Sequence, residues 1–345
     1  MKVVVVGATG NAGTSLLDAL ARDPDVESIV GIARRRPTIE FPKTEFVAAD
    51  CSSDDLAPHF RGADAVVHLA WLIQPARDLA YLRRVNVDGS ARVFRAAAEA
   101  GVRALVYASS VGAYSPGPKD RLVDEAWPTD GIRTSYYSRQ KSEVERLLDR
   151  FEGEHPQMRV VRLRPGLIFK RESAAEQRRL FAGPLFPSFL ARHILAVPAI
   201  PGLRFQAVHS SDVGQAYRLA VKSDVRGAFN IAADPVLDPD ELSRILGAVK
   251  IPVPVGVARW GAQLTFKLHL QPSGAGWVDM GLQTPLLDST RAREELGWQP
   301  ERTSEDALRD LLAGLHEDAG LKTPPLDRKS RARELAGGIG ERESE

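Results

Sequence analysis

The chain has 345 residues, with 46 Lys and Arg against 45 Asp and Glu, for a formal net charge of +1. That length suits two domains or one large α/β unit, and so even a balance excludes a surface built to wrap a polyanion; no nucleic-acid partner is expected. Cys51 is the single cysteine, which excludes an intramolecular disulfide and a Cys-based zinc site and fits a reducing, cytoplasmic setting, while no apolar run approaches the roughly 18 residues that span a bilayer.

Through the first 165 residues, short runs rich in β-branched residues alternate with stretches of helical period. Strands are expected at Lys2–Val6, Ser28–Ala33, Thr44–Ala48, Ala65–Leu69, Ala104–Ala108 and Arg159–Arg164, with helices at Thr14–Arg22, Val85–Ala100 and Tyr136–Phe151. Several of the strands are apolar at every position, as strands covered on both faces must be. The pattern implies an α/β fold with a Rossmann-like, doubly wound parallel sheet. After Pro165 the alternation stops. Residues 170–205 carry prolines at 184, 187, 198 and 201, and a second irregular apolar stretch runs from Ile251 to Pro285. Between them lie the ordered pieces Ser211–Lys222, Ala228–Ile231 and Asp238–Gly247. We therefore expect residues 1–169, with returning segments at about 206–250, to form the dinucleotide domain. Residues 170–205 and 251–320 would form a smaller C-terminal substrate-binding lobe. Residues 321–345, charged and poor in large apolar side chains, would be a disordered tail.

Gly7-Ala8-Thr9-Gly10-Asn11-Ala12-Gly13 follows directly on the first strand and opens a helix. Gly7 permits the tight turn, Gly10 lets the backbone approach a pyrophosphate, and Gly13 lets the helix pack close to the strand; the helix N-terminus then offers free N–H groups. No Gly-Lys-Ser or Gly-Lys-Thr follows, so a phosphate loop of the Walker kind is excluded. Where a carboxylate would bond the ribose 2′-hydroxyl of NAD, the second strand ends in Ala33 and is followed by Arg34-Arg35-Arg36. A guanidinium there suits a 2′-phosphate, so NADP is expected over NAD, with Arg34 and then Arg35 as its ligands. Asp50 and Cys51, beyond the third strand, are candidates to line the adenine, with Cys51 as core filler the equal alternative.

Tyr137 and Lys141 stand four residues apart on one face of an expected helix. An ammonium beside a phenol favours the phenolate, which would make Tyr137 a usable acid or base. Ser109-Ser110 follows the fifth strand, at the carboxyl end where sites of such sheets lie. The seven histidines include no pair at i, i+4 and no HExxH, so no metal site is expected. His68 and His209 read as fold residues, Asp212 as a helix cap, and Arg178, Arg179 and Arg192 as solvated charge or as anchors for an anionic substrate group.

Together these pieces resemble the extended short-chain dehydrogenase/reductase family, which includes NAD(P)-dependent epimerases and dehydratases. The likeness covers about residues 1–315. Besides the glycine loop it rests on His68-Leu69-Ala70, Asn86-Val87-Asp88-Gly89, Tyr107-Ala108-Ser109-Ser110, Tyr137 to Lys141, Arg164-Pro165-Gly166, His209 to Val213 and Leu296-Gly297-Trp298-Gln299-Pro300. The resemblance implies that Tyr137 is the general acid/base, that Lys141 holds the nicotinamide ribose and that Ser110 bonds the reacting oxygen. Ser110 rather than Ser109 matches because Tyr114 lies four residues further on. It further implies that Leu69, Ala70, Pro165 and Gly166 border the cofactor, that Asn86 is structural, and that the protein is a homodimer. Val111-Gly112 stand where 4,6-dehydratases of the family carry Asp-Glu, which argues against dehydration. Leu167 and Lys170-Arg171 depart from the nucleotide-sugar pattern. The expected chemistry is hydride transfer between nicotinamide and a carbonyl or alcohol carbon of a small-molecule substrate, with NADP(H). A nucleotide-sugar epimerase is the alternative, and a regulator that binds NADP without chemistry a second one.

Overall fold

The computed structural model describes residues 1–183, 194–328 and 338–339. Seven strands form the central sheet: β1 (Lys2–Val6), β2 (Ser28–Ala33), β3 (Thr44–Ala48), β4 (Ala65–His68), β5 (Ala104–Ala108), β6 (Arg159–Pro165) and β7 (Gly227–Ile231). All are parallel, in the order β7-β6-β5-β4-β1-β2-β3. The unbroken valines of β1 explain how the sheet is covered. Val3 and Val5 face a core shared with Leu16, Leu20, Val213 and Tyr217, while Val4 and Val6 face a second core with Phe60, Phe94 and Leu148. Alternation along a strand sends successive side chains to opposite faces, so a strand with helices on both sides must be apolar throughout.

The first core holds α1 (Asn11–Ala21) and α4 (Ser210–Lys222); the second holds α2 (Gly89–Glu99) and α3 (Tyr136–Glu154). Helices α1 and α4 touch closely because Gly214 lacks a Cβ, which would lie 2.5 Å from the Ser15 carbonyl oxygen. The stretch expected as one helix over 85–100 is divided: a wider π turn covers Arg84–Asp88 before α2 begins. Asn86 in that turn bonds both backbone groups of Leu72 (2.7 and 2.8 Å), fixing the loop after β4.

The chain goes from β1 outward to β2 and β3, then crosses to β4 on the other side of β1. That reversal makes a crevice at the carboxyl ends of β1 and β4, where ligands of open α/β sheets bind. The rest of the chain departs in part from the expected division. Ala292, Leu296 and Trp298, expected in the smaller lobe, pack into the first core instead, and the Trp298 indole donates to the Asp212 carbonyl at 2.8 Å. Asp212 is not the cap of α4: His209 is, accepting from the Ser211 amide. The Asp212 carboxylate accepts the Glu301 and Arg302 amides, both at 3.2 Å, and anchors the segment leading to α6 (Ser304–Glu317). Part of the expected tail is folded. Residues 321–328 are packed, with Thr323 and Leu326 buried. The remainder of the expected tail lies outside the described residues, apart from Gly338 and the buried Ile339; so does Arg192.

Candidate active site

The glycine loop is built as a phosphate cradle needs it. Gly7 has φ +88°, and a Cβ on it would lie 2.5 Å from the Ala70 nitrogen, so the loop after β1 rests directly on Leu69-Ala70 after β4. On Gly13 a Cβ would lie 2.4 Å from the Gly7 carbonyl oxygen; only glycine lets α1 sit this close. Above Gly10 the space is open, the nearest atom to a Cβ being 3.7 Å away. The N-terminus of α1 has no side-chain cap and no acidic residue in its first turn, and the Asn11 side-chain oxygen is buried without a partner. Free amide donors, an open approach and an unpaired polar atom fit a bound pyrophosphate. Thr9 and Gly13 are buried; Asn11 and Ala12 are half-buried beside them.

At the end of β2, Arg34 donates to the Tyr81 hydroxyl at 3.0 Å. Arg35 and Arg36 are exposed. None of the three pairs with a carboxylate among the described residues. Asp50 turns back on its own loop, accepting from the Ser52 amide and hydroxyl at 2.8 and 2.7 Å. Cys51 is buried in the second core, where burial pushes its thiol up to about 11.

Tyr137 is set by two short elements. Ser135 caps α3, and the Ser138 hydroxyl accepts from the Ile132 amide at 2.6 Å while donating to the Gly112 carbonyl at 2.5 Å. This ties the first turn of α3 to the turn Val111–Ala113. Gly112 has no Cβ, which would fall 2.8 Å from the Tyr137 ring, and the ring therefore closes over the turn that carries Ser110. Burial pushes the Tyr137 hydroxyl up to about 12, and a hydrogen bond from Ser110 pulls it partly back. Neighbouring Ser109 is occupied elsewhere, donating to Glu145 at 2.5 Å.

Lys141 departs from the sequence-based expectation. Its ammonium donates to the Ala108 carbonyl at 2.6 Å and lies 3.5 Å from the centre of the Trp71 ring, but 6.0 Å from that of Tyr137. Burial holds it well below its ordinary value, opposed by Glu145. The reason is the buried position, which satisfies the cation with a carbonyl and a ring face rather than with the phenol.

Three features of this region escaped sequence reasoning. Glu145, four residues beyond Lys141, is wholly buried and pairs with Arg164 (2.9 Å) and Arg162 (3.0 Å) from β6. The spacing 137, 141, 145 was its available signal. Trp71, Trp277 and Phe181 form an aromatic wall: Trp277 lies 5.2 Å from Tyr137 and 5.0 Å from Phe181, and Trp71 lies 5.9 Å from Tyr137, centre to centre. Trp277 belongs to α5 (Ala275–Gln283), inside a stretch with no readable period. Lys170, buried under α1, bonds the Asn11 carbonyl at 3.0 Å and the Thr14 hydroxyl at 2.6 Å, and burial pushes its ammonium down to about 8. Pro165 ends β6. A Cβ on Gly166 would lie 2.6 Å from the Gln206 carbonyl oxygen.

Residues 3–232 match the NAD dependent epimerase/dehydratase family. An uncharacterised protein of Mycobacterium tuberculosis is 28% identical over 94% of this chain and 85% of its own length. A 3-beta-hydroxysteroid dehydrogenase of Mycolicibacterium neoaurum is 24% identical over 90% of each chain. The solved UDP-glucose 4-epimerase of Thermotoga maritima with UDP-glucose shares the fold, with a TM-score of 0.67 at 18% identity over 92% of this chain and 99% of that one.

Proposed function

Since the chain belongs to the NAD dependent epimerase/dehydratase family, we propose that it is an NADP(H)-using oxidoreductase that interconverts a carbonyl and an alcohol on a largely apolar substrate. The observation that carries this reading is the Tyr137 ring, closed over the turn that follows Ser110, set against Trp71 and Trp277 and close to the glycine cradle's end of the sheet.

The cradle residues Gly7 to Gly13 would hold the pyrophosphate on amide donors, and Arg34 with Arg35 the 2′-phosphate. Bound nicotinamide supplies or takes up the hydride. The protein's own part is the proton. With its hydroxyl at about 12, Tyr137 is protonated near neutral pH and donates to the substrate oxygen during reduction. Ser110 donates to the same oxygen and fixes its position. Trp71, Trp277 and Phe181 exclude water and offer ring faces, which suits an apolar carbon framework better than a charged one. The likeness to a protein named as a hydroxysteroid dehydrogenase supports the same substrate class. The absence of a carboxylate at Ala33 and the arginines after it support NADP.

Turnover of NADPH with a panel of apolar ketones tests this. Tyr137→Phe is expected to lower kcat by at least about a hundredfold while NADPH binding stays within twofold of wild type. Undiminished turnover by that variant overturns the role of Tyr137, and interconversion of a UDP-hexose with retained cofactor would favour an epimerase.

A further inference from the structure

Beyond α6 the described residues 318–328 stay against the rest of the protein. The chain reverses at Asp318, in a left-handed conformation, and the Ala319 amide bonds the Gly314 carbonyl at 2.7 Å. Residues 321–327 then close into a compact knot: the Leu321 amide donates to Leu326 (3.1 Å), Leu326 to Thr323 (3.0 Å) and Asp327 to Thr323 (2.8 Å). Leu326 and Thr323 are the buried centre of this knot.

Where the knot touches the rest of the protein is informative. The Thr323 hydroxyl donates to the carbonyl of Thr9, in the glycine loop, at 2.9 Å. The adjacent Lys322 carbonyl accepts from the amide and the hydroxyl of Thr38, both at 3.3 Å. Thr9 belongs to the loop after β1. Thr38 follows the Arg34–Arg36 run after β2, the neighbouring strand. Consecutive residues therefore join the two loops that form the walls of the adenosine end of the crevice. From the other side, the Arg179 guanidinium donates to the Asp327 carbonyl at 2.7 Å and to that of Pro325.

We propose that residues 319–328 are a clasp over the adenosine end of the cofactor, and that Lys322 brings a third cation to the 2′-phosphate addressed by Arg34 and Arg35. This rests on the NADP reading given above. The Lys322 side chain is exposed, and among the described residues it has no ion-pair or hydrogen-bond partner. The Lys322 carbonyl bonds Thr38, two residues beyond the arginine run; that run has no carboxylate partner among the described residues, so a dianionic phosphate is the ligand these cations lack. The clasp also limits exchange, because an occupant under it leaves only when the Thr9–Thr323 and Thr38–Lys322 bonds open.

The test uses the full chain. Dissociation constants for NADPH and NADH are measured by fluorescence titration for wild type, Lys322→Gln, Arg34→Ala and Thr323→Val, and NADPH release by stopped-flow displacement. Lys322→Gln is expected to weaken NADPH about tenfold and to leave NADH within twofold; Thr323→Val, nearly equal in shape, is expected to speed release of both cofactors severalfold. If Arg34→Ala weakens NADPH selectively while Lys322→Gln does not, the role of Lys322 is overturned and the NADP reading stands. If neither is selective, both fall. Unchanged release from Thr323→Val overturns the clasp. Circular dichroism and thermal unfolding confirm that each variant is folded.

Discussion

Glu145 illustrates how one buried side chain can join two strands, linking Ser109 beyond β5 to Arg162 and Arg164 of β6. Burial pushes its carboxyl up, but hydrogen bonds and charge from Arg164, charge from Arg162 and the Ser109 hydroxyl together hold it down at about 2, against an ordinary 4.5. Since the folded state holds its proton less readily than the unfolded chain, the stabilisation is complete above about pH 4.5 and is lost as the pH falls through about 2. Glu145→Gln leaves the buried Arg164 guanidinium without its carboxylate, while Arg162 keeps Asp149 and Glu152, and is expected to cost roughly 3–5 kcal/mol. Urea unfolding between pH 3 and 7 measures this; the variant should also lose part of the acid dependence of wild type. The placement of Tyr137 on a helix and of Ser110 beyond a strand was legible in the sequence, from helical spacing and from the β-branched run before it. Glu145 was less so, because its meaning depends on two arginines from another strand, and Trp277 not at all, because the wall it joins is made only by the tertiary fold.

At the scale of elements, the loop between β1 and α1 separates folding from binding within seven residues. Gly13 is a packing glycine: an added methyl group meets the backbone of Gly7 and Ala8 at 2.4 and 2.7 Å. Gly13→Ala should cost roughly 1–3 kcal/mol, by analogy with other overpacked sites, and lower the unfolding temperature. Gly10, with φ −80° and open space above it, should accept alanine with little loss of stability. Its methyl group would occupy the approach to the pyrophosphate, so Gly10→Ala should weaken both NADPH and NADH. Calorimetry on the two variants distinguishes these effects. The strands of the first half were legible nearly to the residue, because a continuous β-branched run between two helical periods is what a strand covered on both faces requires. Helix α2 was read too long at its start, since the π turn over Arg84–Asp88 keeps the apolar spacing of a helix while changing its hydrogen bonding.

For the whole molecule, the near-neutral charge conceals a local excess at Arg34–Arg36, beside two loops that are tied by residues about 300 positions further along the chain. A ligand that binds only the folded state stabilises it by mass action. NADPH at about a hundredfold over its dissociation constant should add about 2.7 kcal/mol, visible as a rise of a few degrees in the unfolding temperature, with a smaller rise for NADH at the same concentration. The division into a sheet domain and a smaller lobe was readable only in outline. Residues 290–298 rejoin the first core through Ala292, Leu296 and Trp298, a contact that no local pattern announces because its partners lie up to 295 residues earlier in the chain. The contact between Thr9 and Thr323 spans 314 residues. During synthesis the glycine loop and the arginine run leave the ribosome first, and the strands beside them can pair as the chain lengthens. The Thr323 hydroxyl arrives only after the 314 residues beyond Thr9 have been made, so until then the nascent chain presents the crevice without the bond across it.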